Sequence, residues 1–221
     1  MIERRYREFD VSIDRLIRQA RQEGNTIPCE HGCDACCFDL LIVSQFELPP
    51  LIEALRKMTP ERRLAIKMRL VAWVTKMKAA GLDPCDTEQD RATYYRAGLP
   101  CPFLNIEKHE CSIYHVRPIN CRAHHIANAS PAVCANVAEV PTTPMLLIDD
   151  ILGAYVSAVL DDQKAQESEY LHMVFALLPT MLTAIWYLVE DPQRSIADWL
   201  AQVNREGRVF QTRAKDAPSA G

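Results

Sequence analysis

The stretch Cys29-Glu30-His31-Gly32-Cys33-Asp34-Ala35-Cys36-Cys37 places four cysteines within nine residues. The two-residue gap between Cys33 and Cys36 is the knuckle spacing that lets two sulfurs converge on one metal. Cys29 adds a third sulfur, whereas Cys37, adjacent to Cys36, is expected to point toward a second metal or a second iron of a cluster. Scattered buried cysteines that act as small apolar residues do not explain this density.

A second block of cysteines follows in a stretch that prolines interrupt repeatedly. Its members are Cys101, Cys111, Cys121 and Cys134. The tetrapeptides 101–104 and 111–114 predict two short strands of a hairpin. Pro118 suits the first position of a short helix, because its φ angle is preset and its missing N–H is not needed there. Cys121 would then lie in the first turn of that helix. Cys85 is interpreted as an ordinary buried cysteine.

Three side chains near these cysteines are expected to contact the metal ligands. Arg117 and Arg122 flank Cys121. Tyr114 lies three residues after Cys111. Thiolate-bound zinc sites and oxidised iron–sulfur clusters carry negative charge, which guanidinium groups offset while they donate hydrogen bonds to sulfur. The alternative is that both arginines only pair with surface carboxylates.

Composition places the chain among soluble globular proteins. It has 221 residues, of which 48% are hydrophobic and 24% charged, and its net charge is −4. These values are ordinary for a domain that buries a real core. A mildly acidic chain has no electrostatic attraction that would favour binding to nucleic acid. The chain holds only 7 glycines, which disfavours a fold built from tight hairpins.

The cellular compartment determines whether the nine cysteines form disulfides or serve as metal ligands. Residues 1–8 are charged and lack the apolar segment of a secretory signal, so we expect a cytoplasmic protein. Cytosolic redox poise keeps ordinary thiols reduced, and an odd number of cysteines fits poorly with a closed disulfide framework. Clustered cysteines in this setting indicate metal ligands.

Helical periodicity outside the cysteine blocks predicts a mainly α fold with a small, irregular, cysteine-rich metal-binding module that contains a β-hairpin. In the first segment, Phe9, Ile13 and Ala20 recur at helical spacing. The predicted organisation is an N-terminal helix over 1–25, a cysteine-cluster domain over 26–136 with an inserted helical segment over 45–80, a C-terminal helical segment over 145–206 that packs on it, and a flexible tail over 207–221.

Local signals refine the inserted segment. Residues 38–43 predict one short strand, and Ser44-Gln45-Phe46-Glu47 has the form of a capping box. Thr59 and Pro60 suit the N-cap and the first position of another helix. The stripe that predicts the buried face of that helix consists of Leu64, Met68, Val71 and Val74.

Four helices are expected in the C-terminal third, over 151–160, 169–178, 180–189 and 195–203. The uncharged stretch 173–189 is at the lower length limit for a membrane span. Pro179 and two threonines weaken that interpretation, and no basic cluster follows the stretch. We therefore expect a pair of core helices and no membrane span.

The spacing of the cysteines bears on the identity of the metal. Structural zinc usually takes two tight cysteine pairs, whereas this chain supplies one, and its later cysteines are 10, 10 and 13 residues apart. Iron–sulfur clusters take cysteines from varied and distant loops, so an iron–sulfur cluster is preferred over zinc. The predicted metal ligands are Cys29, Cys33, Cys36, Cys37, Cys101, Cys111, Cys121 and Cys134.

These motifs resemble the YkgJ-type cysteine-cluster family, which is described as a zinc- or iron-chelating domain with a C-x-x-C-x-x-C-C signature. The resemblance rests on Cys33-x-x-Cys36-Cys37 with an upstream cysteine, on Cys-Ser-Ile-Tyr at 111–114, on Arg-Pro-Ile-Asn-Cys-Arg at 117–122, and on the late Cys134. It covers about residues 26–136 and implies metal binding. The first gap of the signature has three residues here instead of two.

Three functions are compatible with the sequence. The first is a cytosolic metal-binding protein whose iron–sulfur cluster or zinc is structural or redox-active. The second is an enzyme: a related cluster occurs in flagellin lysine-N-methylases, which implies methyl transfer by analogy, although no Gly-rich nucleotide loop is present. The first three cysteines also match radical-SAM spacing, but such enzymes need a large α/β barrel. The third is an adaptor whose metal only shapes a surface for a protein partner.

Histidines near the cysteines are weaker candidates for ligands. His124 and His125 follow Cys121 closely, and either could supply a fourth ligand, but exposed positions or positions beside the ligands are expected. His31 lies between two cysteines, and a role other than ligand is expected there as well. The sequence contains neither a P-loop nor a Ser/His/Asp pattern, so no catalytic residue is predicted.

Overall fold

The computed structural model of the chain describes residues 2–30, 32–39, 42–83, 91–128, 154–155, 157–158, 161 and 175–206. Its helices are α1 (Ile2–Gln22), α2 (Leu48–Arg56), α3 (Pro60–Ala79), α4 (Arg91–Arg96), α5 (Ile119–Ala123), α6 (Leu178–Glu190) and α7 (Ile196–Glu206). Its strands are β1 (Ile42–Ser44), β2 (Leu104–Asn105), β3 (Glu110–Cys111) and β4 (Phe175–Leu177). The predicted mainly α fold class is confirmed, while the division into domains stays a prediction.

The N-terminal helix is amphipathic, as its periodicity predicts. Tyr6, Phe9, Ile13 and Ala20 are its buried residues. Phe9 and Ile13 join a cluster that includes Ile119 of α5, so α1 packs against the short helix that carries Cys121. The helix ends before Gly24, whose φ of +90° is the left-handed conformation common after a helix C-terminus.

The capping box at the start of the inserted segment is confirmed. The Ser44 side chain and the Glu47 side chain cap each other's backbone N–H groups reciprocally, and a single 3-10 turn over Gln45–Glu47 leads into α2. The strand described nearby, β1, begins at Ile42, and Phe38 belongs to the 3-10 turn Ala35–Phe38. The predicted strand start at Phe38 is therefore wrong, while residues 40 and 41 lie outside the described part.

Helix α3 begins as predicted but buries a different face. The Thr59 side chain accepts a hydrogen bond from the backbone N–H of Arg62 at 3.4 Å, which confirms the N-cap. The predicted buried stripe is wrong, because the buried residues are Ile66, Leu70, Trp73 and Met77. Leu64, Met68 and Val71 are exposed by 59%, 61% and 48%. Apolar residues occupy both sides of α3, so periodicity alone could not choose the face that packs on α6.

The predicted cysteine hairpin is confirmed, with shorter strands. Strands β2 and β3 pair antiparallel, with Leu104 opposite Cys111. The turn between them is closed by the Asn105 side chain, which accepts hydrogen bonds from two backbone N–H groups at 3.1 and 3.2 Å. Pro118 occupies the N-cap of α5 instead of its first helical position, and Cys121 lies in the first turn as expected.

The C-terminal third contains a strand that the sequence did not predict. Phe175–Leu177 forms β4, which pairs antiparallel with β1 where the predicted helix 169–178 should end. Helix α6 then begins at Leu178 and accommodates Pro179 in its first turn. Most of the predicted helix 151–160 lies outside the described residues. Within the described ranges, no helix is long and apolar enough to cross a membrane.

One apolar core joins the inserted segment, the hairpin and the C-terminal helices. Helix α6 packs against both α2 and α3, and Phe103 and Ile113 from the hairpin region belong to the same cluster. Arg56 of α2 donates hydrogen bonds to the carbonyls of Leu188, Asp191 and Arg194 at 2.6–3.1 Å, which fixes the end of α6. The hairpin that carries Cys101 and Cys111 is thus anchored to the main core.

A buried carboxylate connects three parts of the chain. The Glu47 side chain is 1% exposed and accepts hydrogen bonds from the Ser44 N–H at 3.0 Å, the Tyr6 hydroxyl at 3.3 Å and the Ile119 N–H at 2.7 Å. Burial raises the pKa of Glu47, against these hydrogen bonds, which favour the ionised form. The contact with Ile119 fixes the start of α5.

Replacing Glu47 with glutamine should lower the free energy of unfolding by about 1–3 kcal/mol at mildly acidic pH, because the amide brings two N–H donors among the surrounding donors where the protonated carboxyl brings one O–H. The cost should shrink as the pH rises above the ordinary carboxyl value of 4.5. The raised pKa of the folded state makes the wild-type protein lose stability as the pH rises through that pKa, whereas glutamine does not titrate.

Chemical denaturation of both proteins over a pH series measures this difference. The exposed Glu53→Gln on α2 is the matched control and should leave the pH profile unchanged. If Glu47→Gln and the wild type had parallel stability profiles between mildly acidic and mildly basic pH, the buried carboxylate would not titrate as inferred.

Candidate metal centre

Seven cysteines lie in the described part of the chain, and all seven carry free thiols that are partly buried. Cys29 and Cys33 lie in the loop after α1, and the 3-10 turn that follows this loop contains Cys36 and Cys37. The hairpin and α5 supply the others, which are Cys101, Cys111 and Cys121. The predicted ligand Cys134, together with Cys85, lies outside the described residues.

Four of these thiols line one solvent-open pocket of about 120 Å³. They come from two distant parts of the sequence, since α5 brings Cys121 to the loop after α1. The cysteines of the pocket are Cys29, Cys33, Cys36 and Cys121, and the other lining residues are Glu30, Tyr114, Arg117, His124 and His125. The pocket therefore joins the two cysteine blocks of the sequence.

Backbone hydrogen bonds hold the hairpin against the first cysteine block. The Cys101 N–H donates to the carbonyl of Cys37 at 2.7 Å. At the other end of the hairpin, the His109 ring nitrogen lies 2.8 Å from a carboxylate oxygen of Asp34, one of the two residues between the knuckle cysteines. These two contacts fix the 3-10 turn that carries Cys36.

A second set of hydrogen bonds holds Cys29 beside α5. The backbone N–H of Ile126 donates to the Cys29 sulfur at 3.3 Å. Two residues on, the Asn128 N–H donates to the carbonyl of Thr26 at 2.8 Å, and the Thr26 N–H donates back to the Asn128 side chain at 2.9 Å. Sequence reasoning missed Asn128, whose φ of +56° is the left-handed conformation that asparagine adopts more readily than most residues.

The two hairpin cysteines make equivalent hydrogen bonds. The Cys101 sulfur is hydrogen-bonded by the backbone N–H of Phe103, and the Cys111 sulfur by the backbone N–H of Ile113. In each case the donor lies two residues after the cysteine. Such bonds lower the pKa of the thiol, because they favour the thiolate form that binds metals.

Burial dominates the titration of these thiols. It raises the pKa of Cys101 to about 12 and also raises the pKa of Cys121. For Cys36, a hydrogen bond with the Cys37 thiol is the main cause of the raised pKa, followed by burial. The Cys36 thiol contributes in turn to the raised pKa values of Cys29, Cys101, Cys111 and Cys121. Five thiols are thus close enough to act on one another.

Arg117 is the cation that acts on three of these thiols, and Arg69 acts on Cys101. The Arg117 guanidinium carbon lies 4.1 Å from the centre of the Tyr114 ring, and its charge lowers the pKa of the Cys36, Cys111 and Cys121 thiols. Its Nε atom is buried and has no hydrogen-bond partner among the described residues. An unpaired buried N–H donor beside several sulfurs fits a negatively charged thiolate centre.

Arg122, which was expected to contact the ligands, makes other contacts. Its side chain is buried and forms an ion pair with Asp10 of α1 at 2.6 Å. Its other guanidinium nitrogens donate to the carbonyls of Arg117 at 2.8 Å and His115 at 2.7 Å. The guanidinium of Arg122 therefore holds α1, α5 and the turn before Arg117 together, and its N–H groups face oxygen instead of sulfur.

The pocket also contains two histidines that sequence reasoning ranked as weaker candidates. His124 and His125 are half-buried and line the pocket. Burial lowers the pKa of His125, so its imidazole is neutral near pH 7 and retains the lone pair that a metal requires. His31 lies outside the described residues.

The residues of the pocket fit a soft metal or cluster by their donor chemistry. Thiolates with a neighbouring imidazole are the ligands of zinc and iron–sulfur sites, and the buried Nε of Arg117 lacks an acceptor of the kind that such a centre provides. Within the described ranges, no three Cys, His, Asp or Glu side chains already stand together in a metal-binding arrangement.

Fold and pocket together define a helical protein with a thiol-rich module built from two sequence blocks. Residues 28–138, half of the chain, match the family model CxxCxxCC, described as "Putative zinc- or iron-chelating domain". The chain belongs to this family, and the family resemblance derived from the motifs is confirmed. No curated protein and no solved structure matches the chain. The family match thus supports binding of a metal ion by this chain and adds no support for methyl transfer.

Replacing Arg117 with methionine should raise the pH at which the thiols of the metal-free protein ionise, because the guanidinium that lowers their pKa values is removed. The ultraviolet absorbance of thiolate, followed against pH under reducing conditions, measures the change. The exposed Arg62→Met on α3 removes the same charge far from the pocket and should give the wild-type curve. Superimposable curves for all three proteins would contradict the role of Arg117.

Proposed function

We propose that this protein binds an iron–sulfur cluster in the pocket lined by Cys29, Cys33, Cys36 and Cys121. The observation that carries the proposal is the convergence of four thiols from two sequence blocks on one open pocket. Clustered thiolates are the usual ligands of iron–sulfur clusters, and their spacing in the sequence is free to vary because they come from separate loops.

The number of thiols supports a cluster over a single zinc ion. A structural zinc site takes four ligands, whereas the Cys101 and Cys111 thiols are additional close neighbours, because both raise the pKa of Cys121 and Cys36 raises theirs. Under the proposal, the remaining cysteines serve the same centre or a second one. These are Cys37, Cys101, Cys111 and Cys134.

Arg117 supports the same assignment. When bound, a cluster supplies one-electron redox chemistry and a negative charge spread over many sulfurs. Arg117 would balance part of this charge and donate its buried N–H to sulfur, and Tyr114 would hold the guanidinium plane in place. Free thiols of this kind require a reducing compartment, which agrees with the cytoplasmic location expected from the sequence.

The metal would also contribute to folding. Thiolate-bound metal can be worth an apparent ~10–16 kcal/mol, whereas a whole domain is stable by ~5–15 kcal/mol. The segment 82–136 contains five cysteines and many prolines. We therefore propose that this segment owes much of its order to the metal, so that a structural role accompanies any redox role.

Anaerobically purified protein should be brown and should contain iron and acid-labile sulfide. Cys36→Ser and Cys121→Ser should each reduce the iron content by ~10-fold or more, because loss of a thiolate costs at least as much as loss of an outer hydrogen-bond partner. Cys85→Ser, outside the proposed ligand set, is the control of identical chemistry and should keep its iron.

Metal and sulfide analysis of the four proteins decides between the alternatives. If the wild-type protein is colourless and contains stoichiometric zinc, the site is a zinc site and the iron–sulfur proposal is wrong. Wild-type protein without zinc or iron would contradict metal binding altogether.

Removal of the metal should expose 82–136 to proteolysis. We expect chelator-treated wild-type protein and Cys121→Ser to be cut in this segment, while α2 and α6, which are joined by the apolar core and by Arg56, resist digestion. Limited proteolysis with mass spectrometry locates the cuts. Equal resistance of the loaded and the metal-free protein would contradict the structural role.

A further inference from the structure

The outer face of α3 carries an apolar stripe that none of the described elements covers. Leu64, Met68 and Val71, spaced by four and three residues, point away from the side that packs on α6, where Ile66 and Leu70 are buried. Large apolar side chains lined up on an exposed helix mark a surface that meets a partner.

The stripe has the width of a coiled-coil seam. Alternating steps of three and four residues extend it to Glu61 at one end and to Thr75 and Lys78 at the other, all exposed. This is the spacing of a and d positions, which a single opposing helix covers. Lys67, which pairs with Glu190, lies on one flank of the stripe, and the exposed residues of the other flank are Ala65, Ala72 and Ala79. Their small side chains permit a close approach of that helix, whereas a membrane-binding helix presents a broader face with aromatic residues.

The charges at the two ends of the stripe select the partner. Glu61 is exposed in the first turn and Lys78 in the last turn of α3. If a second copy of α3 lies antiparallel, Glu61 of each copy faces Lys78 of the other copy, and Met68 meets Val71 at the centre. A parallel arrangement would place like charges against each other at both ends, which is unfavourable.

We propose that α3 is the interface of an antiparallel homodimer of this protein. The seam of Leu64, Met68 and Val71 forms the apolar centre, and two Glu61–Lys78 ion pairs close its ends. One helix from each copy buries less surface than a standard interface of ~1,200–2,000 Å², so the dimer should be reversible. The proposal does not depend on the metal and can hold whether or not the pocket binds iron.

Charge reversal tests the antiparallel arrangement. Glu61→Lys and Lys78→Glu should each weaken dimerisation by about tenfold or more, because each creates two like-charge contacts. The double variant E61K/K78E should restore the wild-type dissociation constant, since the pairs are then exchanged. Sedimentation equilibrium of the metal-loaded full chain gives the constants. Lys76→Glu, exposed on α3 beside the stripe, is the control and should change dimerisation less.

Zero-length cross-linking of the wild-type protein provides a second measurement. Along one helix, Glu61 and Lys78 are roughly 25 Å apart, so a direct amide between their side chains can form only between two copies. We expect this cross-link, formed between isotope-labelled and unlabelled chains, in mass spectra. A monomer at all concentrations, or a dimer that neither shows this cross-link nor responds to charge reversal, would overturn the proposal. Circular dichroism verifies that each variant is folded.

Discussion

Burial of several thiols around one guanidinium is the constraint on which the site depends. Thiols that are removed from water resist ionisation, as the raised pKa values of Cys101 and Cys121 illustrate. Cys36 adds to this resistance in four other thiols, while Arg117 opposes it. A positively charged metal centre would release the thiol protons and offset the burial. The membership of the chain in a family described as zinc- or iron-chelating is consistent with thiols that ionise when they bind a metal.

Contacts other than those between the thiols hold the elements of the site together. Glu47 accepts hydrogen bonds from α1 and from the start of α5, and Arg122 joins the same two helices through Asp10. The apolar core around α6 holds the hairpin through Phe103 and Ile113. These contacts position the elements that carry the cysteines, and under the proposed function a bound metal would add to them in ordering the segment 82–136.

Local signals succeeded where one short stretch carries its own physical cause. The Ser44–Glu47 capping box, the Thr59 N-cap and the cysteine hairpin all depend on neighbours a few residues away. Sequence signals failed where the packing of a distant element determines the local structure. Helix α3 has two apolar faces, and its packing on α6 chose the face with Leu70. Strand β4 needed β1 as a partner more than 130 residues earlier.

The cysteine pattern by itself determined the family, the expectation of a metal and the seven described thiols that line the pocket or act on one another. It could do so because thiolate chemistry and the two-residue knuckle are local properties of the chain. Only the tertiary structure decided which charged groups face the sulfurs. Arg122 is adjacent to Cys121 and Arg117 is four residues before it, yet α1 supplies Asp10 to Arg122, while the charge of Arg117 lowers the pKa of the thiols. A side chain's partner is set by the element packed against it, which spacing along the chain does not encode.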